Sequence, residues 1–188
     1  MIVLASASPR RAELFRSFGV PFSVRAADVD EARIAAALDG GPAARAERLA
    51  VAKAQAVAGA DTSAVVVGAD TVVALGGEVF GKPRGVMDAR RMLRDLSGRT
   101  HSVYTGVAVC GPRGLLSACV RADVTFLPLT DAQIDAYIAT GEPFDKAGGY
   151  GVQGAARAFI QGIEGDYFCV VGLPMAKTAE LLQAQGAL

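Results

Sequence analysis

The chain is poor in the residues that mark several specialised classes of protein. Its 188 residues include one histidine and three cysteines, and no Cys/His cluster suggests zinc. Cys110, Cys119 and Cys169 are odd in number and lie in apolar runs, which argues for packed, reduced thiols in a cytosol rather than a disulfide framework. Nineteen basic and nineteen acidic residues leave no formal net charge, so the broad positive footprint of a nucleic-acid binder is not expected. No apolar run approaches the roughly 20 residues needed to cross a bilayer. The first apolar stretch lacks both the basic flank and the length of a secretion signal. A cytoplasmic protein engaging neither membrane nor nucleic acid is expected.

What is present is an ordinary globular composition, 52% hydrophobic and 20% charged, with a length that suits one well-cored domain over 1–188. Strand-like runs rich in Val and Ile occur at Ala64–Leu75, Thr100–Cys110, Leu115–Leu127 and Arg157–Ile160, with a shorter piece at Phe168–Val171. Helical patterns begin at Pro42 and stop near Gly59, cover Asp88–Leu96 before Gly98, and follow the capping-box pair Thr130 and Gln133. A last helix runs from Pro174 to Gly186. Gly76-Gly77 and the GPRG segment read as hairpin turns. The fold class is α/β, a mixed central sheet with flanking helices.

Three segments are out of keeping with a purely structural role. In the opening MIVLASASPRRAELFRSFG, Ile2 to Leu4 reads as a buried strand, Ser8 as an N-cap and Pro9 as the first helical residue. Arg10 and Arg11 then lie in the first turn, where exposed N–H groups already carry about half a positive charge and each cation costs roughly 0.3–1 kcal/mol. A phosphate at that position reverses every one of these terms; the alternative is that both side chains curl into solvent.

The second segment is AVVVGADTVVAL, where Asp70 interrupts nearly continuous Val. A dry, ionised carboxylate there needs a cation, a hydrogen-bond network or an opening to solvent. A bulge at Gly68 that turns Asp70 outward is the competing reading. Downstream, GGEVFGKP has the glycine and lysine spacing of a P-loop, but Pro83 stands where Ser or Thr is required and no helix follows directly. Lys82 is kept as a phosphate or base contact.

The third is FDKAGGYGVQG, with four glycines in seven residues. Such a loop allows close approach of backbone to a ligand, and the Gln153 amide, both donor and acceptor, suits a pyrimidine edge. A mobile surface turn with a solvated Asp145–Lys146 pair is the alternative. Glu31 in DVDEARI and Lys53 in RLAVAKAQAV are further candidates, each also explicable as a solvated helix residue. His101 is expected to be a satisfied structural imidazole, and the apolar stripe of Asp88–Leu96 to be core.

Taken in order, LASASPRR, DVDE, LAVAKA, VVVGADTVV, FGKP, the LSG–H–YTGV run, DKAGGYGVQG and VVGLP resemble the Maf family of nucleoside triphosphate pyrophosphatases from end to end. The resemblance implies a fold like that of the inosine triphosphate pyrophosphatases and cleavage of a triphosphate between its α and β phosphates, with Mg²⁺ or Mn²⁺. By position it makes Asp70 the proton acceptor, with Ser8, Arg11, Glu31, Lys53 and Lys82 as the polar shell. Glu31 and Asp70, hard oxygen ligands, are the expected metal pair. Arg10, Thr71 and Gln153 match the branch acting on dTTP and UTP, with Gln153 and Thr71 expected to read the base. The family also implies a homodimer. Where its final motif usually carries Asn, this chain has Cys169, which removes hydrogen bonds that could order the adjacent loop. A non-catalytic nucleotide-sensing regulator of cell division, a role associated with the family, is the second reading, and a purine enzyme of the inosine type the third.

Overall fold

The computed structural model describes residues 1–36, 40–59 and 63–188, and its elements are built around the most apolar segment of the chain, the Val-rich run that becomes β3 (Val65–Leu75). β1 (Ile2–Ala5), buried at all four positions, lies parallel to β3 on one side and to β2 (Phe22–Val24) on the other. α1 (Pro9–Arg16) connects β1 to β2. α2 (Glu31–Ala36) and α3 (Pro42–Ala58) precede β3, which lies on the opposite side of β1. The chain therefore reverses its winding direction between β1 and β3. In α/β sheets, ligands bind in the crevice outside the carboxyl ends of the strands at such a switch point.

Beyond β3 the sheet is antiparallel. β3 turns through Gly76 and Gly77, both at positive φ as a type I′ turn demands, into β4 (Glu78–Phe80). It also pairs with β5 (Thr100–Gly111) from Val66↔Cys110 to Ala74↔Ser102 without a register shift. β6 (Gly114–Phe126) follows β5, and β7 (Ile160–Gly165) closes that side, giving the order β2-β1-β3-β5-β6-β7 with β4 on β3. The sheet is mixed, as the sequence implied. One apolar cluster gathers Leu93, Phe126, Ile134 and Phe159, and another gathers Leu4, Phe15, Val67 and Leu182.

α3 lies unusually close to the sheet. A Cβ on Gly68 would stand 2.3 Å from the Ala50 carbonyl oxygen, and one on Gly106 would stand 2.2 Å from that of Ala46. Glycine in each strand and alanine on the helix remove the side-chain layer that normally separates them. The bulge weighed at Gly68 is absent, and the glycine serves helix packing instead.

α4 (Val86–Leu96) buries Ala89, Met92, Leu93 and Leu96, the stripe assigned to the core. α5 (Asp131–Ala139) carries the Thr130–Gln133 capping box, and α7 (Met175–Ala184) ends the fold. Two strand assignments need correction. Ala155–Phe159 is a 3₁₀ turn that buries Ala156 and Phe159, three residues apart as that helix requires, and the strand begins only at Ile160. Phe168–Val171 belongs to a helix, α6 (Tyr167–Val171), because Asp166 accepts the Phe168 N–H at 2.8 Å as its cap. In so short an apolar run periodicity cannot decide, and the cap does. Among the described residues no helix is long and apolar enough to cross a membrane.

Candidate active site

A cleft of about 910 Å³ opens beside the β1–β3 switch point, and all nine residues singled out from the sequence line it: Ser8, Arg10, Arg11, Glu31, Lys53, Asp70, Thr71, Lys82 and Gln153. At its floor Ser8 caps α1, accepting the Arg11 N–H at a long 3.5 Å, and no acidic residue occupies the first turn of that helix. Arg11 does not curl into solvent. Its Nε donates to Gly172 O at 2.7 Å, Nη2 to Thr71 Oγ1 at 3.0 Å and Nη1 to Ser6 Oγ at 3.5 Å. Burial lowers its pKa, Asp70 and Glu31 work against that, and Arg10 adds to it. A desolvated cation at the positive end of a helix is an anion site in electrostatic terms.

Asp70 is the other half of the corner. Its neighbours in the sheet and the Gly68–α3 contact bring Lys53 over the strand, so that Lys53 Nζ sits 2.6 Å from Asp70 Oδ1 and 2.7 Å from Glu31 Oε1. Asp70 is buried, and the half-buried Lys53 ammonium is the cation the sequence required. Burial works to raise the Glu31 pKa, but the hydrogen bond and charge of Lys53, with Lys82 and Arg11 beyond, hold it below the usual glutamate value. Among the described residues no three His, Cys, Asp or Glu side chains form a ready metal cage. Two carboxylates converging on one cation are nevertheless what Mg²⁺ uses when phosphate oxygens and water complete its shell.

Thr71, expected at the base, lines the cleft with its hydroxyl already bonded to protein groups. Thr105 donates its single hydroxyl proton to Cys169 O at 2.7 Å, so across the 2.9 Å Thr71–Thr105 contact Thr71 is the donor, while it accepts from Arg11. Its hydroxyl is thus engaged in orienting the arginine. Thr105 was not apparent in the sequence, since its role exists only through pairing with Thr71 in register. The Cys169 thiol is fully buried, its sulfur 3.1 Å from Val120 O and 3.6 Å from Val103 O, and burial pushes its pKa up to about 11. The Cys169 backbone carbonyl, within α6, is held by the Thr105 hydroxyl.

Arg10 reaches across the mouth of the cleft to Asp145 at 3.3 Å, and Asp145 also holds Lys146 at 2.5 Å. The glycine loop is not a free surface turn: Gly148, Gly149 and Tyr150 are buried, and the Gly148 N–H donates to Gly81 O, tying the loop to the Lys82 segment. His101 is buried with Nε2 2.7 Å from the Tyr150 hydroxyl, but Nδ1 has no hydrogen-bond partner among the described residues. Burial lowers its pKa to about 4, against a smaller pull from Asp123. Arg45, four and eight residues before Leu49 and Lys53 on the same face of α3, is a further cation on the wall that sequence alone did not mark. Among the described residues that line the cleft, six cations face four carboxylates, an excess of two positive charges.

Known proteins give this arrangement a context. The family model described as Maf-like protein matches residues 1–185. The chain is 54% identical to the dTTP/UTP pyrophosphatase of Moorella thermoacetica, covering 98% of this chain and 95% of that one. It is 49% identical to the dTTP/UTP pyrophosphatase of Symbiobacterium thermophilum, covering 98% and 94%. Among solved structures the Staphylococcus aureus Ham1 protein aligns over 66% of this chain and 71% of its own, at 18% identity and a TM-score of 0.48, a likeness too partial to carry weight. The match over nearly the whole length, together with relatives at about half identity, establishes that this chain belongs to the Maf family.

Proposed function

We propose that the protein is a nucleoside triphosphate pyrophosphatase that hydrolyses dTTP and UTP between the α and β phosphates, releasing the monophosphate and pyrophosphate. The observation that carries this reading is the corner where Asp70, Lys53 and Glu31 meet Arg11 and the N-terminus of α1. The family membership and the names of its relatives point the same way. A triphosphate brings about four negative charges that must be balanced before a nucleophile can approach. The lining supplies an excess of two positive charges, and a divalent ion would supply the remainder.

In this reading Arg11 and the α1 N–H groups bind the phosphate tail, and Lys82 closes on it from the FGKP segment. Asp70, its Oδ1 edge held by Lys53, takes the proton of the attacking water. The negative charge that accumulates on the departing pyrophosphate is met by Arg11 and Lys82, aimed in advance at where it develops. Glu31 and Asp70 are the residues that would hold Mg²⁺ or Mn²⁺, which when bound polarises phosphate oxygens and lowers the pKa of water. Gln153 faces the base from the glycine loop, and Thr71 acts through Arg11. The same proposal includes one domain over 1–188, a homodimer and a cytoplasmic setting.

The test is a panel of the common nucleoside triphosphates, each with Mg²⁺ or Mn²⁺, scored for pyrophosphate. Release from dTTP and UTP well above that from purine nucleotides is expected. Release of orthophosphate instead, or no turnover with any nucleotide and either metal, would overturn the reading.

A further inference from the structure

Gln153 occupies the tip of a turn whose two ends are pinned by a single pair of side chains outside the glycine loop. The Gly154 N–H donates to Gly151 O at 3.1 Å, closing a four-residue turn with Val152 and Gln153 at its central positions. On one side of it the Gly151 N–H donates to the Tyr137 hydroxyl at 3.2 Å. On the other, the Ala155 N–H donates to Glu142 Oε2 at 2.9 Å. The two anchors are themselves joined, for the Tyr137 hydroxyl donates to Glu142 Oε1 at 2.9 Å. Tyr137 comes from α5 and its ring is packed edge-on against Phe159. Glu142 comes from the 3₁₀ turn Glu142–Asp145, where its carbonyl also receives Lys146 Nζ. A Cβ at Gly154 would fall 2.0 Å from Glu142 Oε1 and one at Gly151 2.6 Å from Lys146 Cε, so the glycines admit the frame as much as they admit a ligand.

The frame matters because an amide is a poor discriminator by itself. Uracil and thymine present an N–H between two carbonyls, whereas cytosine presents an acceptor nitrogen beside an amino group. A Gln side chain satisfies either by rotating half a turn, exchanging its oxygen and nitrogen. Preference for the imide edge therefore requires a second hydrogen-bonding group at a fixed position relative to that amide. The backbone of the Gly151–Gly154 turn is the part of the structure that Tyr137 and Glu142 hold still. Resting on the proposed nucleotide reading of the cleft, we propose that Tyr137 and Glu142 are positioning residues for base selection: they fix the Gln153 turn so that it favours uracil or thymine over cytosine.

The experiment compares kcat and KM for UTP and CTP, and inhibition by inorganic tripolyphosphate, in the full-length protein and in Tyr137→Phe, Glu142→Gln and Gln153→Ala. In Tyr137→Phe and Glu142→Gln the preference for UTP over CTP should fall about tenfold, the equivalent of one neutral hydrogen bond, while tripolyphosphate inhibition stays within about twofold. An unchanged UTP/CTP ratio in a folded variant would overturn the inference, as would tripolyphosphate inhibition weakened in step with UTP. If Tyr137→Phe does not fold, Glu142→Gln, at a half-buried position, carries the same comparison. Gln153→Ala separates the two levels. Loss of preference there but not in the frame variants removes only the inference, whereas an unchanged preference there removes base reading by Gln153 itself.

Discussion

The two ends of the cleft are made in opposite ways. At the end assigned to phosphate, charged side chains come from three separated segments (Arg11 on α1, Lys53 on α3, Asp70 on β3), with Lys53 2.6 Å from Asp70 and Arg11 bonded to the adjacent Thr71. At the end assigned to the base there is one short stretch of chain, mostly glycine, whose own N–H groups and carbonyls make the bonds. Leaving a buried charge without its partner costs several kcal/mol, so the first end rests on few residues whose substitution has a large effect. Single backbone N–H bonds are worth about 1 kcal/mol to a neutral partner and about 1.5–3 kcal/mol to a carboxylate such as Glu142, so the second end depends on several modest restraints that tune rather than decide.

Substitutions can break this contrast. The largest effect is expected for Asp70→Asn, which keeps the shape of the side chain but leaves the Lys53 ammonium facing an amide and removes the base. Pyrophosphate release from UTP should fall about 10²–10⁴-fold, while binding of a non-hydrolysable UTP analogue, read by calorimetry, is largely retained. Turnover within a few-fold of the unaltered protein would take Asp70 out of the chemistry. Next comes Arg11→Ala, which deletes a charge-assisted contact and should raise the KM for UTP about 10–100-fold while leaving uridine binding nearly unchanged. Equal losses for UTP and uridine would mean that Arg11 supports the fold rather than the tail, and the two ends would no longer differ in kind.

The order of legibility follows from the same contrast. Charge in the wrong place is visible in one dimension, and so Arg10 and Arg11 at a helix start and Asp70 inside Val were informative before any coordinate. Lys53 was less so, because nothing in RLAVAKAQAV shows that Gly68 and Gly106 let α3 settle onto the strands. Thr71, Thr105, Tyr137 and Glu142 acquire their roles through partners 60, 34, 14 and 13 residues away, and hydrogen bonds across such gaps leave no periodic trace. The strands that alternate or run apolar for ten residues were evident. β2, of three residues, is too short to register, and α6 is helical despite its strand-like composition because the Asp166 cap outweighs it. The P-loop-like spacing around Lys82 serves a different structure: β4 lies within it, and the Gly81 carbonyl accepts from the glycine loop.

The smallest effect concerns His101, beneath the base end. Its pKa in the fold is about 4 against an ordinary 6.5, so the unfolded chain binds the extra proton first as pH falls. Stability is then full above about pH 6.5 and is lost downward through that window, by about 2 kcal/mol between pH 6.5 and pH 5 for this group alone. Denaturant unfolding at those two pH values should show the decrease, and His101→Gln should flatten it. A slope of the same size in the variant would assign it to other groups. Because Tyr150 bonds His101 and lines the cleft, acid should also loosen the base end before it disturbs Arg11.

The central claim is that the triphosphate tail lies at the Arg11–Asp70 corner with the base against Gln153. The direct measurement is a crystal structure of the protein with a UTP analogue whose α–β bridging oxygen is replaced by NH. The account predicts phosphate oxygens bonded to Arg11 and to the N–H groups of α1, the α phosphorus beside Asp70, and the uracil edge on the Gln153 turn. A tail directed away from Arg11, or uracil seated between Lys53 and Asp70, would contradict it.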